Sequence, residues 1–125
     1  MNLLNQKQSE TKAKIELLAK LFEVPPKWAV SVAMVESSLG THQKSPTGCK
    51  GVFQMSSIAM RDLWESMQEI DDDLADIVCG LAFLRILMKR WGVIEKAIEH
   101  YCAPADRDFY LSRAVSYTHL TLPTN

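Results

Sequence analysis

A chain of 125 residues with 47% hydrophobic and 23% charged residues is enough for one small globular domain with a single core. Its formal net charge of -1 gives no electrostatic footprint for nucleic acid or an anionic membrane, so neither partner is expected. Three scattered cysteines, Cys49, Cys79 and Cys102, form no Cys-x-x-Cys pair, and no His-Glu-x-x-His run is present. A zinc site and a disulfide framework are therefore not expected, and the thiols read as reduced and packed.

In chain order, Ser9 is placed to cap a helix that runs to Phe22. Ile15, Leu18, Ala19 and Phe22 fall on one face of it, with Lys12, Glu16, Lys20 and Glu23 opposite. Pro25-Pro26 ends this helix and starts another, since proline suits the first turn and not the interior. The second helix, Pro26 to Ser38, is apolar almost all round, which predicts the middle of a core. Gly40 to Gly51 reads as a loop. Phe53 to Ser57 leads into a third helix, capped by Ser56 or Ser57, with Ile58, Leu63, Trp64 and Met67 for burial.

Asp71-Asp72-Asp73 suits the start of a fourth helix, where the helix dipole favours negative charge. Its stripe is Leu74, Ile77, Val78, Leu81, Leu84, Met88 and Trp91, and Gly92 stops it. Trp28, Trp64 and Trp91 are assigned to the core, and His42 and His100 to the surface or the groove. Val93 to Cys102 predicts a fifth helix and Asp106 to Ala114 a sixth, giving a compact all-α domain.

Glu36 is the exception in the apolar second helix. Burial and the negative end of the helix dipole both disfavour its carboxylate, so its pKa is expected to rise. A carboxyl that stays protonated near neutrality in an apolar wall is suited to general acid work on a glycosidic oxygen.

The residues around Glu36 carry a pattern. Val35-Glu36-Ser37-Ser38 is followed by Ser45-Pro46-Thr47-Gly48-Cys49-Lys50-Gly51-Val52-Phe53-Gln54-Met55. Together they resemble the signature of the lytic transglycosylase and goose-type lysozyme superfamily. There a Glu-Ser pair ends a buried helix, a Ser-Pro-x-Gly-x-x-Gly loop follows, and a Gly-h-h-Gln-Met turn (h, hydrophobic) faces the acid. Ile77 to Leu84 is similar to that family's Asn-Ile-x-x-Gly-x-x-Tyr-Leu helix, and Ala97 to Pro104 stands in the place of its Ala-Tyr-Asn-x-Gly motif. Cys102 and Pro104 depart from that last motif, where Asn and Gly are usual. The resemblance spans about Trp28 to Tyr110.

The resemblance implies a lysozyme-like fold whose central helix ends at the catalytic Glu36. It also implies cleavage of the β-1,4 bond between N-acetylmuramic acid and N-acetylglucosamine, and a 1,6-anhydromuramyl product. Glu36 would act first as acid and then as base. Ser37, Ser45, Phe53, Gln54, Met55 and Tyr101 would contact substrate or orient the acid, with Gly48 and Gly51 shaping the turn between. No metal or cofactor is implied, the partner is the glycan strand of peptidoglycan, and a monomer is expected.

Two other readings stand beside it. A hydrolase would need a second carboxylate, for which Asp62, Glu65 and Asp71 to Asp73 are the nearby choices. A lysozyme-like module that only binds glycan or holds an assembly together would have no need of Glu36. The polar Met1 to Ser9 does not read as a secretory signal, and no apolar run is long enough for a membrane span. Action on the cell wall or in the periplasm would then need a phage lysis, virion or secretion-system route. Val115 to Asn125 breaks with what precedes it and resembles a translated sequencing adapter. It is read as a non-native tail, with residues 1–114 as the single domain.

Overall fold

The structure, a computed structural model, describes residues 4–42, 51–54, 72–101 and 107–120. It is all-α, as expected. Among the described residues there are five helices: α1 Gln6–Phe22, α2 Pro26–Ser37, α3 Asp72–Trp91, α4 Ile94–Glu99 and α5 Arg107–Leu120. The third helix expected from the sequence, with Trp64 and Met67, lies outside the described residues. No helix is long and apolar enough to cross a membrane among the described residues.

The centre of the molecule is α2. Ala29, Val30, Ser31, Val32 and Ala33 are fully buried in succession, which only a helix surrounded on all sides can achieve. It packs on α1 and, most extensively, on α5. A second group, α3 with α4, closes against α1 and α5. Ile15 and Ala19 of α1, Leu81 and Leu84 of α3, Ile98 of α4 and Ala114 of α5 join α2 in one core. Filling the centre with a helix fixes where its end emerges, and that end carries Glu36.

Several local expectations are corrected. The first helix starts earlier than Ser9. Asn5 accepts from the Gln8 N–H at 2.8 Å and Gln8 Oε1 accepts from the Asn5 N–H at 3.0 Å, a reciprocal capping box. Lys12 is not on the outer face. It lies on the same stripe as Ile15 and Ala19 and is buried, with its ammonium on Glu16 at 3.1 Å.

Trp91 is 43% exposed because the stripe on α3 runs past the end of the core. Its ring stacks on His100 at 3.7 Å instead. The fifth predicted helix is shorter than Val93 to Cys102, since α4 ends at Glu99.

The largest difference is at the C-terminal end. α5 does not stop near Ala114 but runs to Leu120, six residues into the segment expected to stand apart. Tyr110, Ala114 and Thr118 recur every four residues and are all buried, so one face continues through that boundary. The Thr118 hydroxyl donates to the Val115 carbonyl at 2.6 Å, which removes its own polar group from the count of unmet donors.

Candidate active site

Glu36 lies in the last turn of α2, and the chain reverses immediately after it. Ser38, Leu39 and Gly40 all have positive φ, at 51°, 56° and 87°. Ser38 N–H bonds to the Met34 carbonyl at 3.0 Å and Leu39 N–H to the Ala33 carbonyl at 3.1 Å, so the helix end is closed by its own backbone. Leu39 is fully buried and anchors the reversal.

The Glu36 side chain is partly buried. Burial pushes its carboxyl from the ordinary 4.5 up to about 7, against the hydrogen bond from Tyr110, which pulls it down. That bond runs from the Tyr110 hydroxyl to Glu36 Oε2. The carboxyl thus keeps its proton to a higher pH than an ordinary glutamate, which suits a group that donates and accepts a proton.

Residues 51–54 form a turn, and three ties hold it. The Ser37 hydroxyl donates to the Val52 carbonyl at 2.5 Å and accepts from the Gly40 N–H at 2.9 Å. Asp76 of α3 accepts from the Val52 N–H at 2.8 Å. The Tyr101 hydroxyl donates to the Phe53 carbonyl at 2.6 Å.

Gly51 has φ +85°, and a Cβ there would fall inside the Asp76 carboxylate. Only glycine allows both the backbone angle and the approach. Gly80 of α3 is required for a related reason: a Cβ there would overlap the Phe53 ring. Gln54, at φ 50°, is partly buried, and its amide donates to the Gly51 carbonyl at 2.8 Å.

The expected site residues therefore divide. Glu36 lies at the end of α2, and Gly51 and Gln54 lie in the turn that Ser37 ties to that end. Ser37 is brought to the site but is 1% exposed, with its hydroxyl committed to the turn. It latches the turn to the helix end instead of reaching a sugar. Phe53 is fully buried against Gly80 and is core, not a sugar platform.

Tyr101 is close, but its hydroxyl is on the turn, and Tyr110 is the tyrosine on the acid. The two rings stack at 6.4 Å, which links the turn to the acid through a pair of aromatics. Ser45, Gly48, Met55, Asp62, Glu65, Asp71, Cys102 and Pro104 lie outside the described residues.

Sequence reasoning missed Tyr110 and Asp76. Tyr110 is 74 positions from Glu36, and its only sequence signal is an aromatic on the inner face of a helix. Asp76 immediately precedes the Ile77 to Leu84 segment, so the motif itself points to it.

A glutamate of raised pKa thus ends a buried helix, and the Gly-Val-Phe-Gln turn is tied to its neighbour Ser37. The family model for the transglycosylase SLT domain matches residues 14–108. The chain belongs to the transglycosylase SLT domain family. This SLT domain is accordingly of the lytic transglycosylase type, whose substrate is peptidoglycan and whose place of action is the cell wall. Neither the curated proteins nor the solved structures compared with it gave a match. The matched span of the SLT domain takes in Glu36, the turn, Asp76 and Tyr101, and ends two residues before Tyr110.

Proposed function

We propose that this SLT domain cleaves the β-1,4 bond between N-acetylmuramic acid and N-acetylglucosamine, with Glu36 as its single acid and base. The supporting observation is the carboxyl at the end of α2, held at a pKa of about 7 by burial. Glu36 gives its proton to the glycosidic oxygen as the bond to the anomeric carbon breaks. The resulting carboxylate then takes the proton of the muramyl C6 hydroxyl, whose oxygen closes on the anomeric carbon. The products are a 1,6-anhydromuramyl end and a free N-acetylglucosamine hydroxyl, and no water is consumed.

A pKa near neutrality suits both halves, because the same group must be protonated first and ionised second. Tyr110 holds the carboxyl in one orientation throughout. Gln54 offers the sugar a polar edge beside the acid. Asp76 is tied to the Val52 N–H and packed against Gly51, which suits a structural carboxylate and not one that activates water.

Mass spectrometry of fragments released from purified cell walls tests this. Anhydromuramyl ends are expected from the wild type and no fragments from Glu36→Gln. Reducing muramyl ends would instead mean hydrolysis, and undiminished release by Glu36→Gln would remove Glu36 from the mechanism.

A further inference from the structure

Gln8 of α1 uses both ends of its side-chain amide. Its Oε1 accepts from the Asn5 N–H at 3.0 Å, which completes the capping box, and its Nε2 donates to the Ser38 carbonyl at 3.2 Å. The two ends are not interchangeable. Turning the amide over would set its oxygen against a carbonyl and its NH2 against an N–H. Ser38 is 30 positions away in the chain, and its carbonyl belongs to the reversal that follows Glu36.

That reversal needs outside support. Ser38 and Leu39 are left-handed without being glycine, and such backbone persists only where its surroundings over-determine it. Leu39 is fully buried, which anchors one side. The Gly40 N–H is held by the Ser37 hydroxyl, which in turn donates to the Val52 carbonyl of the Gln54 turn. The Ser38 carbonyl takes the Thr41 hydroxyl at 2.8 Å from within the reversal, and Gln8 from a different helix. Movement of Ser38 would reach Glu36 along the chain, and the Gln54 turn through Gly40 and Ser37.

We propose that Gln8 is a positioning residue for the active site, holding the reversal behind Glu36 so that the first turn of α1 serves the acid. This rests on the glycan-cleaving function proposed above. Gln8 lies ahead of residues 14–108, the span that the family model matches. A donor on a backbone carbonyl fixes that peptide in place and in plane. Proton transfer to a glycosidic oxygen tolerates little displacement of the acid, so a slack reversal costs rate before it costs binding. Gln8 acts through Ser38 and not on the sugar.

Substitutions in the full chain separate the cap from the tie. Gln8→Glu keeps an oxygen for the Asn5 N–H and suits the start of a helix, but has no donor for Ser38. Gln8→Lys keeps a donor and gives up the cap acceptor. On soluble peptidoglycan strands, kcat is expected to fall about fivefold in Gln8→Glu, with KM within about twofold and the urea midpoint close to wild type. Gln8→Lys should stay within about twofold of the wild-type kcat while its urea midpoint falls. A residue that only stabilised α1 would lose activity in step with stability.

Amide hydrogen exchange at Gly40 reads the same tie with no bond broken in the substrate. It should quicken in Gln8→Glu and keep the wild-type rate in Gln8→Lys. If the wild type cuts no strand but Gly40 exchange follows this order, cleavage is the part that fails and the hold of Gln8 on the reversal stands. With an active wild type, an unchanged kcat in Gln8→Glu or equal losses in both variants overturns the proposal. Unchanged Gly40 exchange in Gln8→Glu overturns it in either case.

Discussion

Replacing Glu36 by Gln should stabilise the protein above neutrality and leave it unchanged in acid. Glutamine keeps the shape and an acceptor for Tyr110 while removing the charge. The carboxyl ionises near 4.5 when free and near 7 in the folded chain. The interval of about 2.5 pH units, at 1.36 kcal/mol each, corresponds to about 3 kcal/mol. Because the folded value is the higher one, this stability is fully present below pH 4.5 and is lost as pH rises through 7. Partial exposure of the side chain brings the figure toward about 2 kcal/mol.

Urea unfolding followed by far-ultraviolet ellipticity at pH 4, 6 and 8 measures it. Wild type and Glu36→Gln should coincide at pH 4, separate at pH 6 and differ by about 2–3 kcal/mol at pH 8, with the variant the more stable. A gap independent of pH, or a wild type more stable at pH 8, would refute the dehydrated carboxyl and with it the basis of the acid assignment.

Other outcomes follow from the same geometry. Tyr110→Phe removes the bond that holds the Glu36 pKa down, so the basic limb of the pH–rate profile should move up by about one unit, read from kcat/KM on cell walls. Gly51→Ala forces a strained φ and a collision with Asp76, and should cost on the order of 2 kcal/mol or more in urea unfolding, together with most of the activity. Trp91→Ala should cost under about 1 kcal/mol, well short of the roughly 3–5 kcal/mol for a buried tryptophan, as judged by thermal denaturation. Ending the chain after Ala114 removes the buried Thr118 contact and should lower Tm by several degrees.

What the sequence revealed follows from how local each feature is. The apolar run from Ala29 to Ala33 declared a central helix, and Glu36 stood out because nothing else in that helix is acidic. Gly51 and Gln54 were recognisable by spacing. The purposes of Ser37 and Tyr101 were not, because they depend on which backbone carbonyl each hydroxyl meets, Val52 in one case and Phe53 in the other. Tyr110 was hidden by distance along the chain. Trp91 misled because periodicity reports which residues share a face and not where the core ends. The helical course of Val115 to Leu120 was not legible either, because its threonines obscured a four-residue spacing that α5 uses.

The bond from Tyr110 to Glu36 joins residues 74 positions apart across the most extensive helix pair among the described residues. The centre is therefore finished only once α5 has been made. A ribosome that has emitted α2 has made the acid, but its clamp arrives only with α5. Until then Glu36 lacks the hydroxyl that meets its carboxyl, and that bond and the α2–α5 packing are completed in one step.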